Sequence, residues 1–413
     1  MIEAARVLKF GGSSLATPER VKKVAHLVAE HRKVNTRVVV VVSAMGDSTD
    51  ELIDLALKVS ANARAVDYRR EMDMLLTSGE RVSMSLLSMA LRDLGCDAMS
   101  FTGSQSGIIT DTVHGEARIS DLRPIRIEQT LSQSKIAIVA GFQGVSAEKE
   151  VTTLGRGGSD TSAVALAVYF KASCVYIYTD VDGFYSADPR VVSKPKRINK
   201  ISWNAALEAA YGGAQVLHPR CIELAWKHKL PIKVCSSFIE QEVIAYANTG
   251  GTLVDNVDLL DKSLESPTLL TISVQKNLVL LHRDTSKQSH RESVTELKKW
   301  AEKGFRQLLW NQSQSRTEIL VEQSQLGLVD QTWQQDSKRA ETDTNLTRVC
   351  LVGAGLSHAW DLQLKLSEKA EELGLRQVMY RANPTSLDFV FQHSESAVTE
   401  FVKWADAKLL GAS

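Results

Sequence analysis

Five consecutive valines, Val38–Val42, constrain this chain more than any other stretch. A strand that is apolar and β-branched on both faces needs cover on both faces, as in a parallel sheet between helices. The run is far short of the roughly 20 residues that span a membrane. Its surroundings agree. Arg6–Phe10 reads as a strand, Thr17-Pro18 as an N-cap followed by proline at the first helical position, and Val21, Val24, Ala25 and Val28 recur at helical spacing. Helical patterns over 49–59, 68–94, 160–170, 203–211 and 219–229 alternate with strand patterns over 37–43, 98–101, 136–140, 175–179 and 232–234. The longest of these helices carries Thr77-Ser78-Gly79, which reads as a break, with Thr77 and Glu80 fitting a capping box. The alternation predicts an α/β/α sandwich with an open, mainly parallel sheet.

The pattern changes near Asn248, where Thr249-Gly250-Gly251-Thr252, several aspartates and Pro267 mark a boundary. Two similar runs follow. The first reads strands 269–274 and 278–282, helix 292–303, strands 305–310 and 317–322. The second reads strand 348–353, helix 360–373, strands 376–380 and 387–392, helix 396–408. This β-α-β-β-α order, twice, is of the ferredoxin-like type. With 413 residues the chain exceeds one ordinary core. The expected division is a catalytic domain over 1–250, a linker over 251–267, and small α+β domains over 268–345 and 346–413.

The 49 basic and 49 acidic residues cancel, which argues against a nucleic-acid binder. The opening MIEAARVLKFGG carries charges before any apolar run and does not read as a signal peptide. A cytoplasmic protein without membrane association is the expectation. Five cysteines, at 96, 174, 221, 235 and 350, show no CxxC pair and read as reduced, mostly buried thiols. His26 and His31 lack metal-ligand spacing and read as a solvated helix face.

Two glycine-rich turns are candidates for phosphate binding; taken alone, the first also reads as an ordinary strand-end turn and the second as a helix N-cap with Ser159 or Asp160 as the cap. Lys9-Phe10-Gly11-Gly12-Ser13-Ser14 ends the first strand, and Leu154-Gly155-Arg156-Gly157-Gly158-Ser159-Asp160 leads into a helix. Glycines there let backbone N–H groups approach phosphate oxygens, and a lysine adds a full charge. Neither matches a Walker A loop or GxGxxG. Asp180 and Asp182 imitate a calcium loop, but the third oxygen ligand and the closing glutamate are missing. Val352-Gly353-Ala354-Gly355 imitates a dinucleotide fingerprint but has His358 at the third glycine position.

In series, these turns resemble the aspartate kinases of the amino-acid kinase family. The resemblance rests on Lys9–Ser14, Ser43-Ala-Met-Gly-Asp-Ser-Thr49, Leu76-Thr-Ser-Gly-Glu80-Arg, Phe101–Gly107, Gly141-Phe-Gln-Gly144, Thr152–Asp160, Thr179-Asp-Val-Asp-Gly-Phe-Tyr185 and Asp188-Pro-Arg190. It implies ATP with Mg²⁺ as cofactor, L-aspartate as acceptor, two C-terminal ligand-sensing ACT domains, an amino-acid effector at them, and a homodimer. By matched position, Lys9 neutralises phosphate, with Phe10, Gly11 and Gly12 at the nucleotide. Ser43, Thr49 and Ser159 line the acceptor site. Glu80 and Asp160 meet the substrate amino group, and Arg156 clamps its α-carboxylate. Thr179, Asp180, Tyr185 and Arg190 belong to the nucleotide site. Two departures stand out. Gln215 occupies a position where many relatives carry a phosphate-contacting lysine. The loop from His282 to His290 lacks the family's Asp-x-Pro-Gly-like effector motif. Other acceptors within the family (glutamate, acetylglutamate, a nucleoside monophosphate) and a catalytically weak regulatory paralogue are the competing readings.

Overall fold

The computed structural model describes residues 4–238, 250–256, 268–284, 290–302, 305, 308–313, 316–329, 340–392 and 395–410. It divides into two compact units: Met1–Phe184, Arg197–Leu207 and Gln215–Asp258 form the first; Tyr185–Lys196, Glu208–Ala214 and Leu259–Ser413 form the second.

The first unit is built on strands β1 (Arg6–Phe10), β2 (Val38–Val42), β3 (Ala98–Phe101), β4 (Ile108–Thr110), β5 (Ile119–Leu122), β6 (Ile136–Ala140), β7 (Gln143–Ser146), β8 (Val151–Thr153) and β9 (Val175–Thr179). After the short β10 (Phe184–Tyr185) and β11 (Arg197–Ile198) come β12 (Lys200–Ser202), β13 (Ile232–Ser236) and β14 (Thr252–Asp255). The main sheet runs β12-β14-β13-β9-β1-β2-β6-β3, and a smaller sheet runs β5-β4-β7-β8. Among the described residues, only the β13–β14 pair of the main sheet is antiparallel. All five valines of β2 are buried, as their two-faced pattern requires. Helices α1 (Pro18–Val34), α2 (Ser48–Val59), α3 (Arg69–Asp93), α4 (Ile125–Ser132), α5 (Gly158–Tyr169), α6 (Trp203–Tyr211) and α7 (Pro219–Lys227) punctuate the strands. One core joins Val21, Val24 and Val28 of α1 and Leu87 and Leu91 of α3 to Val38, Val40 and Val42. Thr17 caps α1, accepting from the Arg20 N–H at 3.3 Å.

Four expectations need correction. Thr77 does not cap a helix, because α3 runs unbroken from Arg69 to Asp93. Its hydroxyl donates back to the Met74 carbonyl at 3.1 Å, and Gly79 serves close approach rather than a break. A Cβ on Gly79 would come within 2.8 Å of the Ala44 Cβ. His31 lies on the core side of α1, fully buried, its Nε2 2.6 Å from the Tyr178 hydroxyl; His26 is exposed. The expected linker opens with β14, which pairs with β12 and β13; residues 257–267 lie outside the described residues. The strands expected over 269–274 and 278–282 are one strand, β15 (Thr268–Asp284). The polar Lys276-Asn277 step that separates the two apolar runs is passed by a register shift, with Asn277 at φ 57°.

The second unit contains β15, α8 (His290–Glu302), β16 (Leu309–Gln312), β17 (Arg316–Glu322), β18 (Ala340–Ala354), α9 (Trp360–Glu372), β19 (Arg376–Ala382), β20 (Ser386–Gln392) and α10 (Glu395–Ala405). These are two β-α-β-β repeats sharing one antiparallel sheet, β16-β17-β15-β18-β20-β19. Each repeat has its own apolar cluster. Trp300 and Phe305 pack with Val279 and Ile319 in the first; Phe389, Phe391 and Phe401 pack with Leu366 in the second. Residues 285–289, most of the divergent loop, and 411–413 lie outside the described residues. Among the described residues no helix is long and apolar enough to cross a membrane.

Candidate active site

Strands β1, β2 and β6 run parallel, so their C-terminal ends, Phe10, Val42 and Ala140, share one edge of the sheet. Open α/β sheets bind ligands in the crevice beyond that edge. The turns leaving these strands are bonded to each other. The Ser43 N–H donates to the Phe10 carbonyl at 3.1 Å, Gly46 to Gly12 at 3.0 Å, and Gly141 to Val42 at 2.9 Å.

Lys9 is the penultimate residue of β1, and Asp160 is in the first turn of α5. The fold brings them together at 2.6 Å between Nζ and Oδ1, each residue 8% exposed. Sequence reasoning named both without foreseeing the contact. Burial of opposite charges is tolerable only when they are paired. Ser159, beside Asp160, is equally buried, whereas Arg156 on the preceding loop is exposed.

Glu80 enters the same region from α3. It is 2% exposed. Burial pushes its carboxyl up to about 7, against hydrogen bonds from its own and the Ala44 backbone and from Gln143, which favour the ionised form. The Gln143 amide donates to the Thr77 carbonyl at 3.1 Å and to Glu80 Oε2 at 3.4 Å, and its Oε1 accepts from the Gly103 N–H at 3.2 Å. Gln143 belongs to the Gly141–Gly144 segment, one of those that carry the resemblance, but its side chain had no role assigned from sequence.

The remaining residues divide. The Ser43 carbonyl accepts from the Ser83 hydroxyl at 2.7 Å, and Thr49 lies half-buried in the first turn of α2. Phe10 is buried and stacks on Tyr178, centroids 4.9 Å apart; Gly11 donates to the Tyr178 carbonyl at 3.1 Å. Thr179 ends β9 with its hydroxyl 3.1 Å from Asp180 Oδ1. Gln215 is exposed just before α7. Tyr185 and Arg190 belong to the second unit, where the Arg190 guanidinium forks onto Asp188 at 2.7 to 3.1 Å.

His218, N-cap of α7, accepts from the Arg220 N–H at 3.3 Å. Burial first, then the Arg220 charge, holds its imidazole below the ordinary range. Among the described residues no group of three or more His, Cys, Asp or Glu is arranged to hold a metal. Burial raises the thiols of Cys174 and Cys235 to about 12, so neither is a nucleophile near neutrality.

Residues 5–236 match the amino acid kinase family model. The aspartokinase of Mycolicibacterium smegmatis is 51% identical over 236 residues, 57% of this chain and 55% of that protein. The chain thus spans little more than half the length of that curated relative. Escherichia coli aspartokinase III in complex with aspartate and ADP superposes with a TM-score of 0.80 at 25% identity, over 98% of this chain and all of that one. The same enzyme in complex with lysine and aspartate gives 0.70 at 25% identity, over 98% and 99%. The chain belongs to the amino acid kinase family.

Proposed function

We propose that this member of the amino acid kinase family transfers the γ-phosphate of ATP to the side-chain carboxylate of L-aspartate. The observation that carries the reading is the buried Lys9–Asp160 pair, at 2.6 Å, on the strand edge where two glycine-rich turns meet. The aspartate and ADP bound by the similar E. coli enzyme support it.

The acceptor carboxylate, with an ordinary pKa of about 3.9, is already ionised at neutral pH and needs no general base. The obstacle is that an anion must approach a polyanion. Catalysis then consists of in-line positioning and charge neutralisation. Lys9 supplies the fixed positive charge, and Asp160 holds its ammonium at the strand end. The backbone N–H of Gly12 faces the phosphates, while that of Gly11 is held by the Tyr178 carbonyl and shapes the turn. Mg²⁺ would accompany the nucleotide and would supply further neutralisation of the γ-phosphate charge.

Arg156, long and exposed, reaches the acceptor α-carboxylate. Glu80 and Asp160 take the ammonium, and Ser43, Thr49 and Ser159 line the pocket. Thr179, Asp180, Tyr185, Arg190 and Gln215 serve the nucleotide. The two β-α-β-β repeats act as ACT-like modules, with the protein a cytoplasmic homodimer. The 282–290 loop lacks the Asp-x-Pro-Gly-like effector motif, so the amino-acid effector would bind these repeats without it. Gln215, where a lysine is usual, favours one rival: a regulatory paralogue that binds without turning over. ADP release that depends on aspartate excludes that rival; release unaffected by aspartate supports it.

A further inference from the structure

We infer that Asp73 is a positioning residue that aims Arg156 at the acceptor, acting through Thr153 and the segment 114–117. The inference rests on the reading of Arg156 given above. Asp73 and Glu80 are seven residues apart on α3, two helical turns, so they share one face of it. Asp73 is 0% exposed. A carboxylate that deep is costly unless hydrogen-bonded. Its donors are the Thr153 hydroxyl at 2.5 Å, His114 Nδ1 at 2.7 Å and the Gly115 N–H at 3.1 Å. Facing a carboxylate, Nδ1 carries the proton.

Those donors come from two segments that are also tied to each other. The Ala117 N–H donates to the Thr153 carbonyl at 2.9 Å. The Arg220 guanidinium donates to both the Leu154 and the Ala117 carbonyls, the latter at 3.0 Å. A Cβ on Gly155 would meet the Gly115 carbonyl oxygen at 3.0 Å, and Gly155 and Gly157 both have left-handed φ, 74° and 69°. The backbone leading into Arg156, at Thr153 and Leu154, is therefore fixed, from α3 through Asp73 and from α7 through Arg220. The guanidinium itself is exposed and can meet a ligand. An exposed arginine can orient a substrate reproducibly only if its backbone is held, and a displacement of about 1 Å in a positioning group can cost about a hundredfold in rate.

A staple that merely supports the fold would affect all kinetic constants together, so the test reads them separately. In Thr153→Val the loop loses its bond to Asp73; in Thr153→Ser it is kept. The expected result for Thr153→Val is an aspartate KM raised about tenfold, the loss of one hydrogen bond to a charged group, with kcat and the ATP KM within about twofold. Thr153→Ser should restore the wild-type aspartate KM. His114→Ala, on a partly exposed side chain, is the second variant should Thr153→Val not fold, and shifts the same constant in the same direction. An unchanged aspartate KM in a folded variant overturns the inference, as does an equal fall in every constant. A wild-type protein without aspartate-dependent turnover removes the functional reading and this inference together; normal wild-type turnover with unshifted variants removes only this inference.

Discussion

Lys9 Nζ sits 2.6 Å from Asp160 Oδ1, joining the end of the first strand to the start of the α5 helix. The pair ties the phosphate-facing cation to the acceptor side of the proposed site. In the proposed reaction Lys9→Ala removes the charge that meets the phosphoryl group in flight, and a donor of that kind is worth about 3–4 kcal/mol. Turnover is expected to fall by about two orders of magnitude or more. Asp160 would remain buried without its partner, so a lowered melting temperature should accompany the loss. Steady-state kinetics with near wild-type turnover would remove Lys9 from the proposed machinery.

Arg156→Ala should raise the aspartate KM by about a hundredfold, the effect of losing a bidentate charge-assisted contact, while ATP affinity holds. Calorimetric titration with an ATP analogue separates the two. Equal loss of nucleotide binding would move Arg156 to the phosphate side.

Glu80 predicts a pH signature. Its carboxyl is raised from 4.5 to about 7 by burial. The folded state thus holds this proton more tightly than the unfolded one. The stability it contributes is full below pH 4.5 and is lost as pH rises to about 7, a change on the order of 3 kcal/mol. A substrate ammonium needs the ionised form, so aspartate binding should weaken as pH falls below about 7 and should release a proton near neutrality. Calorimetry in buffers of different ionisation enthalpy measures that proton. Glu80→Gln should bind weakly with a flat profile; a profile in the variant like that of the wild type would assign the titration elsewhere.

His31 acts in the opposite sense. Burial, with the Arg6 charge adding to it, depresses its imidazole from 6.5 to about 3. The unfolded chain binds the proton first, so the stability is full above pH 6.5 and is lost as pH falls toward 3. Between pH 6.5 and 5 the loss is about 2 kcal/mol. Urea unfolding of His31→Phe should show a smaller drop between pH 7 and 5 than the wild type. An equal drop would mean that other groups set the acid limit.

Much of the fold was readable because it is periodic. The two-faced Val38–Val42 run and the alternation around it dictate a covered sheet, and the Thr17-Pro18 cap is a local signal that tertiary structure had no reason to override. What escaped was non-local. The smaller sheet of β4, β5, β7 and β8 consists of three- and four-residue strands whose pairing, not composition, defines them. The bland Asp73 resembles any acid on a helix until Thr153 and His114 arrive from 80 and 41 residues away. Thr77-Ser78-Gly79 looked like a helix start because cap and close-approach glycines share one alphabet. The decision lay with Ala44, on another loop.

The proposed reaction is the transfer of phosphate to an aspartate carboxylate. Its most direct test is to incubate the protein with ATP, Mg²⁺ and L-aspartate in the presence of hydroxylamine, with L-glutamate and no acceptor as parallel controls. Aspartyl hydroxamate is expected with aspartate alone. No hydroxamate from protein that still binds ATP and aspartate would contradict it and leave the regulatory paralogue as the better reading.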